Sequence, residues 1–178
     1  MRAAIGLFSH TGWCAALAVV GGPARVIERS RVDLVEQRFE VGAVYHVARE
    51  LPISEAEARV REIRERAERT AAAAIGAMVA RLRDLGHEAI GCAIVGSMHR
   101  IPEDLAEVLR SHALIHAAEG RLYSGALATA AREHRLPVTM TAARELDPGA
   151  PALAKVRPAG PPWGRDQKLA ALVALRLL

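Results

Sequence analysis

Two histidines and a carboxylate at helical spacing are the first residues of this sequence whose types suit chemistry. His112, His116 and Glu119 follow one another at intervals of four and three residues. On a helix these intervals place all three side chains on one face. Two imidazoles and a carboxylate can bind one transition-metal ion or act as an acid–base pair. The structural alternative has His112 in a loop before the helix, His116 packed and Glu119 exposed near the helix start.

A second candidate site is the segment Ser-His-Thr-Gly-Trp at residues 9–13, directly after an apolar run. Ligands gather where strands end, so His10 is a candidate catalytic residue, and Ser9 and Trp13 are candidate ligand contacts. Ser9 and His10 do not form a catalytic dyad by themselves, because adjacent side chains seldom face each other suitably. The alternative is a hairpin turn with capping hydroxyls.

A third candidate site begins the last helix, after a passage rich in proline and glycine. Asp166 is a candidate catalytic carboxylate there, and Trp163 is an aromatic side chain that can stack on a base or sugar. Alternatively, Asp166 complements the helix dipole and Trp163 covers the core. The remaining candidate ligand contacts are Arg121, Tyr123, Arg165 and Lys168.

The composition describes a moderately basic chain that can bury a core. Of 178 residues, 51% are hydrophobic and 25% are charged, and the formal net charge is +4. This length suits one domain over residues 1–178. Arginines number 22 against two lysines, and arginine suits bidentate contacts with phosphate or carboxylate. A GC-rich genome explains the same bias equally well.

Several protein classes are excluded or disfavoured by the sequence. No apolar run approaches the roughly 18 residues of a transmembrane helix. The start of the sequence lacks the features of a signal peptide, so we expect a cytoplasmic protein. Cys14 and Cys92 each lie in an apolar run, which predicts buried free thiols and no disulfide or zinc site. Glycine-rich phosphate-binding fingerprints and a nucleophile elbow do not occur.

Hydrophobic periodicity predicts the elements that must position these residues. A Ser54–Glu57 capping box predicts the start of a long helix, and Gly86 its end. Residues 36–53 are predicted to be a loop. The predicted strands are 3–9, 14–20, 24–35, 87–95 and 137–141, and the predicted helices are 54–85, 102–110, 113–134 and 165–178. This order predicts an α/β fold: a mixed five-stranded sheet, with three antiparallel strands before helix–strand crossovers and helices on both faces.

Short motifs in this order resemble the RuvC branch of the ribonuclease H-like superfamily. The resemblance spans most of the chain through the order of its elements. The motifs that carry it are Gly6-Leu7 with Thr11-Gly12-Trp13, Glu119-Gly120-Arg121 leading through a helix to Leu136-Pro137-Val138, and Gly164 to Lys168 at the last helix.

The resemblance implies a nuclease centre that this sequence does not supply. RuvC-type nucleases hold two divalent metals with carboxylates from the first strand, the fourth strand and the last helix, and magnesium requires oxygen ligands. Here the first-strand position is Phe8 or Ser9, residues 90–96 contain no acid, and only Asp166 remains. A standard two-magnesium site is therefore not expected, and the cofactor is left open as a possible divalent metal.

The leading hypothesis is a RuvC-like protein that binds nucleic acid or a phosphate-bearing ligand. A non-standard hydrolase site would use His10, His116, Glu119 and Asp166, converging where the strands end. Arg121, Arg165 and Lys168 would supply positive charge, and a homodimer is expected. Two alternatives are open: a small-molecule enzyme with one metal held by His112, His116 and Glu119, or a non-catalytic dimerising subunit.

Overall fold

A mixed five-stranded sheet forms the centre of the computed structural model, which describes residues 1–161 and 163–178. The strand order is β3-β2-β1-β4-β5. The strands are β1 (Arg2–Ser9), β2 (Trp13–Val20), β3 (Arg25–Asp33), β4 (Glu88–Val95) and β5 (Val138–Thr141). The first three pair antiparallel, whereas β4 pairs parallel with β1, and β5 parallel with β4. The predicted fold class is confirmed, and β3 lies at one edge of the sheet.

Helices cover both faces of this sheet. They are α1 (Phe39–Gly42), α2 (Val44–Ala48), α3 (Ile53–Asp84), α4 (Leu105–Leu109), α5 (His112–Glu133) and α6 (Arg165–Leu175). Short 3₁₀ turns lie at Ala143–Glu145 and Pro151–Lys155. Among the described residues, no helix has both the length and the apolar character that crossing a membrane requires.

The side chains of β1 alternate between two separate cores, as the period of a strand demands. Ile5 and Leu7 join the core beneath α2, α3 and α5, whereas Ala4 and Phe8 join the core beneath α6. Gly6 lies between them, and a methyl group there would overlap the carbonyl oxygen of Ala170 on α6. Glycine at this position therefore lets α6 approach the sheet closely.

Three local predictions about helices were wrong. Residues 36–53 contain α1 and α2 and are not simply a loop. The long helix begins at Ile53 with Pro52 as its N-cap, so Ser54 lies inside the first turn and makes no capping hydrogen bond. The next helix starts at Leu105, because the Asp104 side chain accepts a hydrogen bond from the Ala106 amide.

Both cysteines are free and buried, as predicted. Burial, with a smaller contribution from the negative charge of Asp33, raises the pKa of the Cys14 thiol to about 12. Burial also raises the pKa of Cys92. The two thiols therefore behave as small apolar side chains of the core beneath α3 and α5.

Candidate functional site

A histidine–aspartate pair joins the end of β1 to the start of the last helix. His10 Nε2 lies 2.8 Å from Asp166 Oδ2, and the two side chains are 32% and 25% exposed. His10 belongs to the tight turn between β1 and β2, where its amide donates to the Trp13 carbonyl and Gly12 adopts a positive φ of 80°. The Gln167 side chain accepts from the Gly164 amide at 3.1 Å, which fixes where α6 begins.

Ring stacking holds the imidazole of this pair in place. Trp13 lies parallel to His10, with centroids 4.0 Å apart and planes inclined by 7°. The Arg31 guanidinium carbon lies 3.8 Å from the Trp13 centroid. Two groups at these distances must cover opposite faces of the indole. Trp13 therefore positions His10 and has no free face on which a base could stack, unlike the ligand contact predicted for it.

The hydrogen bond to Asp166 determines which nitrogen of His10 is available. An ionised carboxylate only accepts hydrogen bonds, so His10 Nε2 must carry the proton of this bond. In the neutral ring, Nδ1 then keeps its lone pair and can accept a proton. A carboxylate that orients an imidazole in this way also stabilises the imidazolium that forms.

Three other histidines meet on the opposite side of the sheet. One nitrogen from each of His46, His112 and His116 lies within 4.8 Å of the others. The Nε2 atoms of His112 and His116 are 3.0 Å apart. Ser111 caps α5 by accepting from the Leu114 amide, so the helix begins at His112. His112 therefore lies in the helix, and the alternative that placed it in a preceding loop is wrong.

Glu119 supports this group from beneath. Its side chain is only 4% exposed, and Oε1 lies 2.9 Å from His46 Nδ1 and 3.4 Å from the His46 amide. Glu119 thus orients His46 instead of completing the triplet with His112 and His116. The predicted set of His112, His116 and Glu119 therefore does not share one point: the side-chain nitrogens that lie within 4.8 Å of one another belong to His46, His112 and His116. The sequence placed Tyr45 and His46 in a loop that could cover a site but favoured simple packing for them, and it left His46 out of the metal ligands because His46 lies 73 residues from Glu119.

The four predicted catalytic residues form two groups and do not converge. His10 and Asp166 lie where β1 meets α6, whereas His116 and Glu119 lie on α5, which packs on the other face of the sheet. Both groups lie towards the edge at which β1 and β4 end, since Gly120 of α5 approaches Ser97 just after β4. The sheet separates the two groups because α5 packs on one face of the sheet and α6 packs on the other.

The structure places the predicted ligand contacts in different environments. Tyr123 is fully buried and donates a hydrogen bond to the Gly42 carbonyl at 2.8 Å, so it is a core residue and no ligand contact. Trp163 packs against the core beneath α6. Ser9 is half-buried at the end of β1. Arg165 is exposed beside Asp166, with its guanidinium carbon 5.6 Å from the Phe8 centroid, and Lys168 follows in the same helix turn.

Arg121 lies on a separate groove of about 950 Å³ between α3, α5 and the segment after β4. The groove carries arginines and carboxylates in nearly equal number. Its charged lining residues are Arg61, Arg64, Arg100, Arg121, Arg132, Glu57, Glu68, Glu103 and Asp104. With charges so nearly balanced, the groove is not a strongly cationic track for a phosphate backbone.

The sheet order and the position of α6 define the class of fold: this chain has a RuvC-like, ribonuclease H-like fold. Among solved structures, it is similar to Thermus thermophilus RuvC in complex with Holliday junction substrate, at 16% identity and a TM-score of 0.53, covering 98% of this chain and 91% of that one. A second Thermus thermophilus RuvC structure matches at 16% identity and a TM-score of 0.48, covering 97% and 91%. Neither a family model nor a curated protein matches the sequence.

The residues present do not fit the two-metal centre that this fold implies. Phe8 is an apolar side chain packed in the core beneath α6, and residues 90–96 provide no carboxylate. Of the three places that the resemblance names, only the start of the last helix offers a carboxylate, Asp166, and it is already paired with His10. Magnesium requires several oxygen ligands, so no step of a reaction is assigned to a two-magnesium site here.

Proposed function

We propose that this protein binds nucleic acid through its phosphates at the edge where β1 ends, and that His10 and Asp166 act there as an acid–base pair in phosphodiester hydrolysis. The observation that carries the proposal is the 2.8 Å contact between His10 Nε2 and Asp166 Oδ2. It joins the two places, the end of the first strand and the start of the last helix, where the fold resemblance implies reacting groups.

The charge around the pair supports an anionic ligand. Arg31 lies over Trp13, Arg165 lies beside Asp166, and Lys168 follows in the first turn of α6. The chain as a whole carries a formal net charge of +4 and has a pI of about 9.7. Guanidinium groups match phosphate oxygens bidentately. The similar fold of a RuvC bound to a Holliday junction substrate makes a branched DNA the first ligand to test.

The chemistry proposed for the pair is proton transfer. His10 Nδ1 accepts a proton from water as the water oxygen attacks phosphorus, and Asp166 stabilises the imidazolium that results. The bond from phosphorus to the leaving oxygen then breaks, and the imidazolium returns its proton to that oxygen. Nearby arginines stabilise the negative charge that develops on the phosphate oxygens.

Binding is tested by fluorescence anisotropy with a labelled four-way junction and a linear duplex of matched sequence. We expect affinity for the junction to fall with salt, with a slope of about −0.9 for each phosphate contacted. Arg165→Ala and Lys168→Ala should each weaken binding and reduce that slope by about 1. Arg69→Ala is the matched control, because Arg69 is an exposed arginine on the far helix α3. Absence of binding, or an affinity that does not depend on salt concentration, would overturn the proposal.

Hydrolysis is tested separately with His10→Ala and Asp166→Asn on the nucleic acid that binds. We expect both variants to bind normally and to lose activity by about 10²–10⁴-fold, the usual contribution of a positioned acid or base. Unchanged cleavage rates in both variants would show that the pair is structural. The homodimer stays a prediction, which light scattering of the same preparations tests.

A further inference from the structure

We propose that His46, His112 and His116 bind one divalent first-row transition-metal ion of the zinc class, on the face of the sheet opposite His10. The proposed function does not use this site. It rests on three nitrogen donors from two helices, α2 and α5, which meet within 4.8 Å of one another.

The distances fit a site that closes slightly around an ion. At a tetrahedral zinc with bonds of about 2.0–2.1 Å, ligand nitrogens lie roughly 3.3 Å apart. The His112 and His116 Nε2 atoms are already 3.0 Å apart. Their α5 positions are fixed by the four-residue helical interval, so only small rotations of the side chains are needed. His46 provides the third nitrogen from the short helix α2, which packs against α5.

The ring contacts show that no two of these imidazoles stack in parallel. His46 meets His112 at 82° and His116 at 64°, and His112 meets His116 at 84°. Nitrogen lone pairs lie in the ring plane, so edge contacts can direct them to one point, whereas parallel stacking cannot.

Glu119 is the second, independent sign of a metal site. It is a carboxylate almost fully buried beneath the cluster, and its Oε1 accepts from His46 Nδ1. That hydrogen bond puts the proton of His46 on Nδ1 and leaves the Nε2 lone pair for a ligand. Histidine ligands of metals commonly donate their other ring N–H to a carboxylate, which fixes the tautomer and the ring orientation.

The donor set indicates the class of ion and the state of its coordination. Imidazole nitrogens suit zinc, copper, iron and nickel, whereas magnesium and calcium prefer oxygen. Three protein ligands leave a fourth position of a tetrahedral ion for water or a substrate. His112 and His116 are both exposed, so solvent reaches the cluster directly.

The test uses the full chain, with any affinity tag removed, purified without chelators and then stripped of metal. Zinc is titrated by calorimetry, and Co²⁺ is titrated by its visible absorption, which reports the coordination geometry. We expect one ion per chain with a tetrahedral Co²⁺ spectrum. His112→Ala and His116→Ala should remove binding, and Glu119→Gln should weaken it by about 10–100-fold. His99→Ala is the matched control, since His99 is an exposed histidine outside the cluster and should bind metal normally.

His46→Ala should also remove metal binding, and His46→Gln replaces it if His46→Ala does not fold. Circular dichroism of each variant separates loss of the site from loss of the fold. Failure of the stripped wild-type chain to bind one equivalent of zinc or cobalt would overturn the proposal. Equal weakening by His99→Ala would overturn it as well. Anisotropy with the four-way junction should be unchanged in His112→Ala, so failure of this site and failure of the proposed function are distinguishable.

Discussion

Two histidine–carboxylate pairs, on opposite faces of one sheet, use the same hydrogen bond in different surroundings. Asp166 is 25% exposed and holds His10 by Nε2, whereas Glu119 is 4% exposed and holds His46 by Nδ1. These hydrogen bonds leave Nδ1 of His10 and Nε2 of His46 outside the pairs. The two pairs therefore differ in the burial of the carboxylate and in the groups that surround the second ring nitrogen.

The contrast in ring packing explains the two assignments. Trp13 stacks parallel on His10, with the two ring planes inclined by 7°, and the other ring near this imidazole is that of Phe8. The imidazoles of His46 and His116 instead meet at 64°, with a third ring alongside. A single oriented imidazole suits acid–base chemistry, whereas three converging ones suit a metal ion.

The largest effect is expected from Gly6→Ala, a substitution that disturbs only the face of the sheet covered by α6. Gly6→Ala would push a methyl group into the carbonyl oxygen of Ala170 and displace α6, which carries Asp166. We expect unfolding in denaturant to show a loss of about 3 kcal/mol, at the upper end for overpacking. Metal binding by the folded fraction should survive, whereas nucleic-acid cleavage should not. Gly125→Ala on α5 is the control, because open space surrounds that position. Equal loss of both activities in Gly6→Ala would show that the faces are coupled.

The difference in burial predicts unequal costs for removing the two carboxylates. Glu119→Ala removes a carboxylate that is only 4% exposed and leaves Nδ1 of His46 without its partner, and we expect a loss of about 2 kcal/mol of unfolding free energy. Asp166→Ala removes a partly solvated pair and should cost less than about 1 kcal/mol. Glu119→Gln retains an oxygen that can accept from His46 and should cost less than Glu119→Ala. Similar values for Asp166→Ala and Glu119→Ala would contradict the contrast drawn here.

Alkaline pH should weaken the core beneath α3 and α5, on the side of the three histidines. Burial raises the pKa of Cys14 from 9.0 to about 12. Above pH 9 the thiol of the unfolded chain ionises while that of the folded chain stays neutral, so stability present below pH 9 is lost as pH rises towards 12. The slope should be on the order of 1 kcal/mol per pH unit for this thiol. Denaturant melts at increasing pH measure it, and Cys14→Ala should flatten the curve. A wild-type curve as flat as that of Cys14→Ala would contradict the assignment.

The tyrosines beneath the same face give a spectroscopic version of this test. Burial raises the pKa of Tyr123, with a further contribution from the negative charge of Glu119. Ultraviolet titration of tyrosinate should therefore start above the ordinary value of 10.0. Glu119→Gln should lower the pKa of Tyr123 relative to wild type, since the nearby charge is removed. An unchanged pKa of Tyr123 in Glu119→Gln would show that the charge of Glu119 does not act on Tyr123.

The smallest effect is expected from the cation above Trp13. Arg31→Ala removes the guanidinium from one indole face, and an exposed cation–π contact contributes about 0.5–1 kcal/mol. We expect a change in tryptophan fluorescence together with that small loss of stability. Arg69→Ala should leave the fluorescence unchanged, because Arg69 pairs with Glu65 on α3. Identical fluorescence spectra for Arg31→Ala and wild type would show that the Arg31 guanidinium does not affect Trp13.

The sequence by itself determined the five strands, the three long helices and their order. All five strands lie within two residues of the predicted bounds, and the helix that begins at Arg165 was predicted at that residue. The periodicity of apolar side chains is a property of consecutive residues, so it predicts helices and strands without knowledge of the tertiary contacts. The same locality made His112 and His116 recognisable as neighbours on a helix face. The start of α3 was misjudged because Ser54 and Pro52 compete for the same role, and only the backbone path settles it.

Only the tertiary structure decided which side chains share a site. His46 carries no local signal, and it reaches Glu119 because α2 folds onto α5 across 73 residues of sequence. Trp13 and Tyr123 are of types that suit ligand contacts, yet one is covered on both faces and the other is buried. His10 and His116 end on different faces because the alternation of β1 and the packing of α5 and α6 assign them there. Such assignments follow from burying apolar surface over the whole chain, a quantity that no local pattern contains.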